Sequence, residues 1–414
     1  MKNTKKQSEE KTNLLNKKVD FKIYELLIFG ILIIVASATL SYILTKNSQI
    51  GVKRSGIFSG NDSNTEELSE VYDLINDSYY KKVNKKKMIN GAINGMLESL
   101  GDPHTSYFDE SQTESFNEIM NGSYEGIGAE VSVDNNNNVI IVSVFKNSPA
   151  SEEGLKFNDI IKEVNGKSVK GKTPTEVVTL IKDPSSKTAT LKIERDGKDL
   201  EFKLTKREIV IESVESKIYE KNNKKIGYVV INTFANNTYG QFKQQIEELE
   251  SKNINGLIID VRGNSGGYLH SVTSMLDMFL PKGMISYQIQ DKKTVTKYKS
   301  NSSESRNYPI AVLVNKSSAS ASEILAIGLK ESYNAEVIGT NTYGKGTVQV
   351  TKNLKSGGMI KYTIQKWLSP KGNWINEVGV EPTIKEELSK DYEENPSEEN
   401  DNQLQKAINV ISNK

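Results

Sequence analysis

The spacing of apolar residues changes along the chain and predicts different elements in turn. Residues 26–44 form an apolar run without a charged side chain, about the length of a helix that crosses a membrane. Between residues 68 and 97, apolar positions recur at helical spacing and predict two short amphipathic helices. From about residue 117 onward, β-rich segments alternate with turns, at 129–133, 139–144, 160–164, 189–193 and 200–204, around a helix at 174–181.

Strand-like and helix-like segments alternate between residues 226 and 329, a rhythm typical of an α/β layer with partly parallel strands. They are 226–231, 239–249, 256–260, 269–280, 310–314 and 321–329. Residues 386–401 are acidic and polar, and a final amphipathic helix follows them. The pattern therefore predicts a multidomain chain of α/β and β class.

The domain organisation that we predict follows these changes of pattern. In chain order it comprises a basic tail (1–22), a transmembrane helix (23–45), a linker (46–65), a helical cap (66–116), a β-rich domain (117–206), an α/β core (207–385) and an acidic segment with a C-terminal helix (386–414). With 414 residues, the chain is long enough for two or three domains that each bury a core.

The residues around the apolar run indicate which side of a membrane the chain occupies. Lysines crowd the segment before it, and cationic flanks stay in the cytoplasm during insertion. We therefore expect a single-pass protein of the cell membrane, held by residues 26–44, whose folded part lies outside the cytoplasm. A signal peptide cleaved at Ala36-Ser37-Ala38 is the alternative. The apolar run continues beyond that site to Leu44, which favours an anchor.

Charge and rare residue types exclude several classes of function. The formal net charge of +1 gives the whole chain no electrostatic footprint for nucleic acid. Because the chain has no cysteine, it forms no disulfide and no thiolate metal site. Its two histidines argue against a histidine metal centre. Any hydrolytic chemistry then depends on other side chains.

Small hydroxyl residues stand where the predicted strand 310–314 passes into a helix. The segment reads Ser318-Ala319-Ser320-Ala321-Ser322-Glu323. A helix N-terminus suits a nucleophile, because its unpaired N–H groups and its dipole stabilise an alkoxide and an oxyanion. Taken alone, however, the segment favours ordinary N-capping supported by Glu323 in the first turn.

A lysine and a glutamine lie four residues apart in Gly344-Lys345-Gly346-Thr347-Val348-Gln349. A lysine acts as a base only when it is neutral, and burial lowers its pKa toward the working pH. A straight strand would separate the two side chains by about 13 Å, whereas one helical turn brings them together, so we predict a coiled turn. A solvated lysine in a glycine loop is the alternative, and the spacing does not fit a Walker phosphate loop.

Glycines also close the segment Asp260-Val261-Arg262-Gly263-Asn264-Ser265-Gly266-Gly267, which follows a predicted strand. Such glycines let backbone N–H groups approach a substrate carbonyl. Alone, this segment is more simply a strand-to-helix turn. Together with the serine and lysine segments, it indicates a hydrolytic site.

These three segments resemble those of the carboxyl-terminal processing peptidases, S41 serine proteases with a Ser-Lys dyad, and the resemblance extends from about Glu66 to the C-terminus. It implies a helical cap and a PDZ domain before an α/β protease core of the ClpP/crotonase-like type. In the site that it implies, Ser320 is the nucleophile, Lys345 is the general base and Gln349 orients that base. The oxyanion donors that it implies are the N–H groups of Ala321 and of the Gly266-Gly267 turn, with Gly266 preferred.

The β-rich domain carries the PDZ part of the resemblance. Gly126, Ile127 and Gly128 resemble the PDZ carboxylate-binding loop, beside which an extended peptide adds as a strand. Alone, this triplet would be a turn. The sequence departs from the family at Asn158, Ser265 and Thr383, none of which belongs to the dyad.

The function implied by the resemblance is that of a membrane-anchored, extracytoplasmic serine endopeptidase. It would capture and cleave disordered C-terminal regions of protein substrates without a metal or a cofactor. Assembly into a homo-oligomer stays open. One alternative is a non-catalytic PDZ tether that binds C-termini, against which the intact Ser320, Lys345 and Gln349 argue. The other is a Ser-His-Asp hydrolase that uses His270, which the resemblance places in a helix.

Overall fold

The computed structural model of the chain describes residues 63–303 and 306–414. The predicted basic tail and transmembrane helix, including residues 26–44, lie outside these residues, as does nearly all of the predicted linker. In this described part of the chain, no helix is both long enough and apolar enough for a membrane span.

Two helices open the described part, α1 (Ser63–Ser78) and α2 (Lys85–Glu98). They confirm the two amphipathic helices that the apolar spacing predicts. The border between two compact units of the chain lies at Ile89 and Asn90, within α2. The second unit contains all the elements that follow.

A short strand and a helix come next, β1 (Ser106–Phe108) and α3 (Glu110–Asn121). Asp109 and Gln112 form a capping box at the start of α3, and Gly122 ends the helix with a φ of 73°. The main chain beyond α3 is fixed to the core, because Asn237 Nδ2 donates to Gly122 O at 2.7 Å.

The PDZ-like part is a sheet with strand order β3-β4-β5-β7-β8, with β6 paired to β5. A separate pair, β2 with β9, flanks it, and the helices are α4 (Pro149–Glu152) and α5 (Pro174–Lys182). The strands are β2 (Ser123–Gly126), β3 (Ala129–Val133), β4 (Val139–Val144), β5 (Ile160–Val164), β6 (Lys167–Ser168), β7 (Thr188–Arg195), β8 (Lys198–Thr205) and β9 (Arg207–Val210). The predicted strands and the helix at 174–181 are confirmed.

Alternation explains why this sheet forms. Ala189, Leu191 and Ile193 of β7 are fully buried on one face, as period-2 patterning requires. The buried carboxylate of Asp159 pairs with Arg195 at 2.6 Å. At the other side of the domain, Lys182 of α5 pairs with Glu118 of α3 at 2.5 Å.

The α/β core is a six-stranded sheet with the order β10-β11-β12-β15-β16-β19, in which only β10 runs antiparallel to its neighbour. The strands are β10 (Val214–Lys221), β11 (Lys224–Ile231), β12 (Gly256–Asp260), β15 (Ile310–Val314), β16 (Glu336–Gly339) and β19 (Ile384–Lys385). Every residue of β12 and β15 is buried, as expected for strands covered on both faces. The predicted parallel α/β layer is confirmed.

Helices cover both faces of this sheet. One face packs against α6 (Thr238–Ser251), α7 (Leu269–Phe279) and α8 (Ala321–Gly328) through Leu257, Ile259 and Val312, and a π-helical turn (Leu329–Tyr333) follows α8. The other face packs against α10 (Asn402–Ser412) through Ile258 and Leu313, and α9 (Lys390–Glu394) precedes α10. The predicted C-terminal amphipathic helix is thereby confirmed, and its apolar face packs on the sheet.

A second antiparallel sheet, which the sequence analysis missed, has the order β1-β18-β13-β14, with β17 also paired to β18. Its remaining strands are β13 (Ile285–Asp291), β14 (Thr294–Lys299), β17 (Thr347–Asn353) and β18 (Met359–Leu368). β17 and β18 bring the lysine segment to the serine turn, because both strands line the cavity described next.

Candidate active site

Ser320 ends the loop between β15 and α8 in a strained backbone conformation. Its φ of 54° and ψ of −112° differ from the extended backbone of an ordinary N-cap residue. Neighbouring groups hold the loop, since Ser318 Oγ donates to Val261 O at 2.8 Å and Ala319 N donates to Asn264 O at 3.0 Å. The conformation differs from simple capping and leaves Ser320 partly exposed, in the lining of the cavity described below.

The glycine turn comes into direct contact with the serine turn. A Cβ at Gly266, which has a φ of 103°, would lie 2.9 Å from Ser320 Cβ and 3.0 Å from Ala321 N. Only a glycine fits there without displacing backbone. Gly266, Ala321 and Ser320 therefore lie together in the lining of one cavity.

The donor role predicted for Gly266 is not met in this conformation. Its N–H already donates to Asn264 Oδ1 at 2.8 Å, and Asn264 Nδ2 donates to Ile231 O at 2.7 Å. Gly267 also lines the cavity. The backbone hydrogen bonds to Phe234 at this point use its neighbours, since Phe234 N donates to Gly266 O at 3.1 Å and Tyr268 N donates to Phe234 O at 2.7 Å. The second glycine therefore suits an oxyanion better than the first.

Lys345 lines the same cavity as Ser320. Burial lowers the pKa of Lys345 from its ordinary value to about 8, and the charge of Lys361 acts in the same direction, whereas Asp102 and Glu323 oppose it. Its carbonyl accepts a hydrogen bond from Trp367 Nε1 at 2.8 Å. A neutral amine is therefore accessible near physiological pH, as a general base requires.

Glu323, for which the sequence predicted only a helix-capping role, connects the serine turn with the lysine turn. Its side chain is fully buried, and both oxygens accept hydrogen bonds from groups on the two turns. Oε2 accepts from the N–H groups of Ser320 at 2.7 Å and Lys345 at 2.9 Å. Oε1 accepts from Gly344 N at 2.7 Å and from Thr342 Oγ1 at 2.6 Å. This one carboxylate thus fixes the serine turn to the lysine turn.

The predicted coiled turn from Lys345 to Gln349 is wrong. The segment enters the extended strand β17 at Thr347, because β18 supplies a hydrogen-bonding partner. A register shift between Val348 and Gln349 marks a bulge, which re-aims side chains locally. Gln349 still lines the cavity, and its Nε2 donates to Thr347 Oγ1 at 2.8 Å and to Thr363 Oγ1 at 3.1 Å.

A hydrogen-bonded turn beside β1 adds further groups that sequence reasoning did not assign to the site. Asp102 accepts from Thr105 Oγ1 at 2.6 Å and from His104 N at 2.9 Å. Thr105 Oγ1 accepts in turn from Thr363 N at 3.2 Å, next to the Gln349 amide. Burial, followed by the charge of Lys345, lowers the pKa of His104. This turn thus shares the electrostatic environment of the lysine.

The cavity has a volume of about 840 Å³ and runs between α3 and the two turns. Ile119 and Met120 of α3 give one wall an apolar character. His270 also lines the cavity, but its Nε2 lies 3.0 Å from the amide oxygen of Asn236. That contact gives no support to the Ser-His-Asp alternative.

The proposed peptide loop lies outside this cavity lining. Gly126 ends β2, and Gly128, with a φ of 77°, precedes β3, the edge strand of its sheet. Ser148 Oγ donates to Gly128 O at 3.1 Å, and Ala150 N donates to Ile127 O at 2.8 Å. The three residues thus occupy the end of an edge strand that packs against α5.

Comparison with known proteins places these features in a family. The model for peptidase family S41 matches residues 225–386, the PDZ domain model matches 126–205, and the model of the activating protease CtpB N-terminal domain matches 34–112. The carboxy-terminal processing protease CtpB of Bacillus subtilis (strain 168) is 42% identical over 329 residues, 79% of this chain and 68% of that protein. CtpA of the same strain is 38% identical over 378 residues, 90% of this chain and 79% of that protein.

Among solved structures, the photosystem II D1 C-terminal processing protease aligns over 79% of this chain and 89% of its own, with 26% identity and a TM-score of 0.45. The S41 and PDZ matches, together with the relatives named above, show a serine-type peptidase with a PDZ domain that acts on proteins. The chain belongs to peptidase family S41, with the carboxy-terminal processing proteases as its relatives. The family to which the sequence segments pointed is thus confirmed.

Proposed function

We propose that the chain is a membrane-anchored, extracytoplasmic endopeptidase in which Ser320 is the nucleophile and Lys345 is the general base. The observation that carries this proposal is the sharing of one cavity by a strained serine and a lysine whose pKa burial lowers to about 8. Glu323 supports it, because this carboxylate fixes the backbones of both residues.

The reaction proceeds through an acyl-enzyme. Neutral Lys345 accepts the proton of Ser320 Oγ while that oxygen attacks the scissile carbonyl. The N–H groups of Ala321 and Gly267 stabilise the oxyanion, and the Lys345 ammonium returns the proton to the leaving amine. Lys345 then takes a proton from the water that attacks the ester and gives it to Ser320 Oγ as the ester bond breaks, which restores the neutral amine and the free hydroxyl. Gln349 orients Lys345, and its own side chain is held by hydrogen bonds to Thr347 and Thr363.

Capture of the substrate falls to the PDZ domain. The N–H groups of the Gly126–Gly128 turn bind the terminal carboxylate, and the peptide adds as a strand along the edge of β3, against α5. The edge position of β3 supports this assignment. Protein substrates with disordered C-terminal tails suit the site, because only an unfolded segment can enter a cavity of this size. The names of the relatives, carboxy-terminal processing proteases, agree with such substrates.

The anchor is the apolar segment 26–44, whose basic flank remains in the cytoplasm. This arrangement leaves the protease and PDZ domains on the outer side of the cell membrane. Protease protection of the full-length chain in right-side-out membrane vesicles tests the arrangement. External protease should degrade the folded domains, and their protection from it would contradict the proposed topology.

Cleavage of a reporter protein with a disordered, apolar C-terminal tail tests the chemistry. The full-length enzyme should cut the tail, and Ser320→Ala and Lys345→Ala should each lose turnover. Ser317→Ala is the matched control, because Ser317 is exposed in the same loop. Tail cleavage by Ser320→Ala at the rate of the unaltered enzyme would refute the assignment of the nucleophile.

A further inference from the structure

A second lysine stands in the catalytic cavity. Lys361 lies on β18 opposite Thr351, and the next pair on the same face of these strands, two residues away, is Gln349 with Thr363. Because side chains alternate along a strand, Lys361 and Gln349 lie on the same, cavity-facing side. The cavity lining includes Lys361 together with Ser320 and Lys345. Lys361 and Ser320 thus border the same space, which a bound peptide would enter.

The cavity offers this lysine no anionic partner. The lining contains Lys345 and Lys361 but no aspartate or glutamate. The ammonium of Lys361 lies over the rings of Phe108 at 5.4 Å and Phe116 at 5.9 Å. Among residues 63–303 and 306–414, no carboxylate lies within ion-pair distance of it. Cation–π contact offsets only part of the cost of removing an ammonium from water.

Asp102 is the acid that influences Lys361 from outside the cavity lining. Burial lowers the pKa of Lys361, and the charge of Asp102 opposes that change. The oxygens of Asp102, however, are already held by Thr105 and by His104 N. The ammonium therefore retains the capacity to bind one more anion.

We propose that Lys361 binds a carboxylate of the substrate peptide within the catalytic cavity and so selects substrates with a carboxylate at a fixed distance from the scissile bond. The carboxylate belongs either to an acidic side chain or to the peptide terminus. Because Lys345 must be neutral to act as base, Lys361 is the cation that a bound carboxylate meets. The inference rests on the proposed function, since it assumes that the peptide occupies this cavity.

Two sets of peptides separate the sources of the carboxylate. In the first set, one position at a time on either side of the scissile bond carries Glu or Gln. In the second set, the same peptide ends in a free carboxylate or in an amide. For each pair, the measured quantity is the ratio of kcat/KM for the acidic peptide to kcat/KM for the neutral peptide. It is measured with the full-length chain, at a pH above the pKa of Lys345. The unaltered enzyme, Lys361→Met and Lys361→Arg are compared.

We expect the unaltered enzyme to prefer the carboxylate about tenfold in one set, as one charge-assisted hydrogen bond provides. Lys361→Arg should keep the preference, and Lys361→Met should abolish it. A general effect of Lys361 on Lys345 acts equally on both peptides and cancels in the ratio. A preference that comes from the PDZ loop would persist in Lys361→Met and would overturn the proposal.

The proposal would also be overturned if the unaltered enzyme gave kcat/KM ratios near one for the acidic and neutral peptides at every position and at the terminus. This outcome does not depend on whether Lys361→Met folds. Binding of the same fluorescent peptides to Ser320→Ala separates this inference from the proposed function. Cleavage of all peptides at equal rates would leave the protease assignment intact and refute the Lys361 subsite. Conversely, carboxylate-dependent binding that requires Lys361, in a chain that cuts no peptide, would support the subsite and refute the catalytic assignment.

Discussion

Replacement of Glu323 by glutamine tests how the two catalytic turns are held together. The carboxylate accepts four hydrogen bonds, from Ser320 N, Lys345 N, Gly344 N and Thr342 Oγ1, at 2.6 to 2.9 Å. Glutamine has nearly the same shape but only one acceptor oxygen. Its NH₂ group therefore faces two donors wherever it points. The Thr342 hydroxyl can rotate to accept, but a backbone N–H cannot.

The structure sets the size of the effect. In the better amide orientation, the single oxygen of the glutamine takes the place of Glu323 Oε2 and keeps the bonds to Ser320 and Lys345. The NH₂ group then takes the place of Glu323 Oε1, so the buried Gly344 N–H loses its acceptor. Loss of one such bond and of the charge in the others should lower the free energy of unfolding by about 2–4 kcal/mol. A shift of the lysine turn by about 1 Å should lower kcat by roughly 100-fold.

The pH profile gives a readout that a merely structural role would not move. Lys345 acts in its neutral form, so kcat/KM rises with pH through the Lys345 pKa of about 8. Since the charge of Glu323 raises that pKa, Glu323→Gln should move this acidic limb to lower pH. Peptide hydrolysis across the pH range and urea unfolding measure both effects, with the exposed Glu247→Gln as control. An unchanged kcat, pH limb and unfolding free energy in Glu323→Gln would refute the reasoning.

Two further predictions concern groups that shape the site and its support. Gly266→Ala should abolish activity and destabilise the fold by about 1–3 kcal/mol, because its Cβ would lie 2.8 Å from Ala319 O at a φ of 103°. Gly240→Ala is the control, because Gly240 lies on a helix with open space around it. Full activity of Gly266→Ala in peptide hydrolysis would contradict the geometry. Arg262→Met should lower the unfolding free energy by about 3–5 kcal/mol, because it leaves Asp260 and Asp401, which pair with Arg262 at 2.6 and 2.8 Å, buried without their partner. Thermal unfolding measures this loss against the control Lys385→Met, whose ion pair is exposed. Equal stability of the two variants would argue against a large contribution from the Arg262 pairs.

The parts of the fold that could be predicted are those whose signal is local. The strands β12 and β15 are continuous apolar runs, and every residue in them is buried. The segments that contain Ser320 and Lys345 also stand out locally, but each alone left an ordinary cap or loop open, and only the resemblance of the three segments together predicted a site. β18, in contrast, mixes charged and apolar residues, and its partners β1, β13 and β17 are distant in the chain or separated by a turn. Pairing of that kind leaves no periodic signal in one sequence.

The missing parts of the site depend on contacts between distant segments. Glu323 hydrogen-bonds to residues about twenty positions further along the chain, so its first-turn location suggested only a cap. One signal was present, because Glu323 is the charged residue in a helix whose other residues are apolar or small and buried. Lys361 and Asp102 affect the pKa of Lys345 from β18 and from the turn before β1, and nothing local connects them.

The most direct test of the central claim is the pH dependence of Ser320 phosphonylation by a fluorophosphonate, in which the serine oxygen attacks phosphorus and fluoride leaves. In the full-length enzyme, the rate of labelling should rise with pH around the Lys345 pKa of about 8. In Lys345→Met the rate should fall by roughly 10²- to 10⁴-fold, and that rise should disappear. Labelling of Lys345→Met at the original rate, with the same pH dependence, would contradict the claim that this lysine activates this serine.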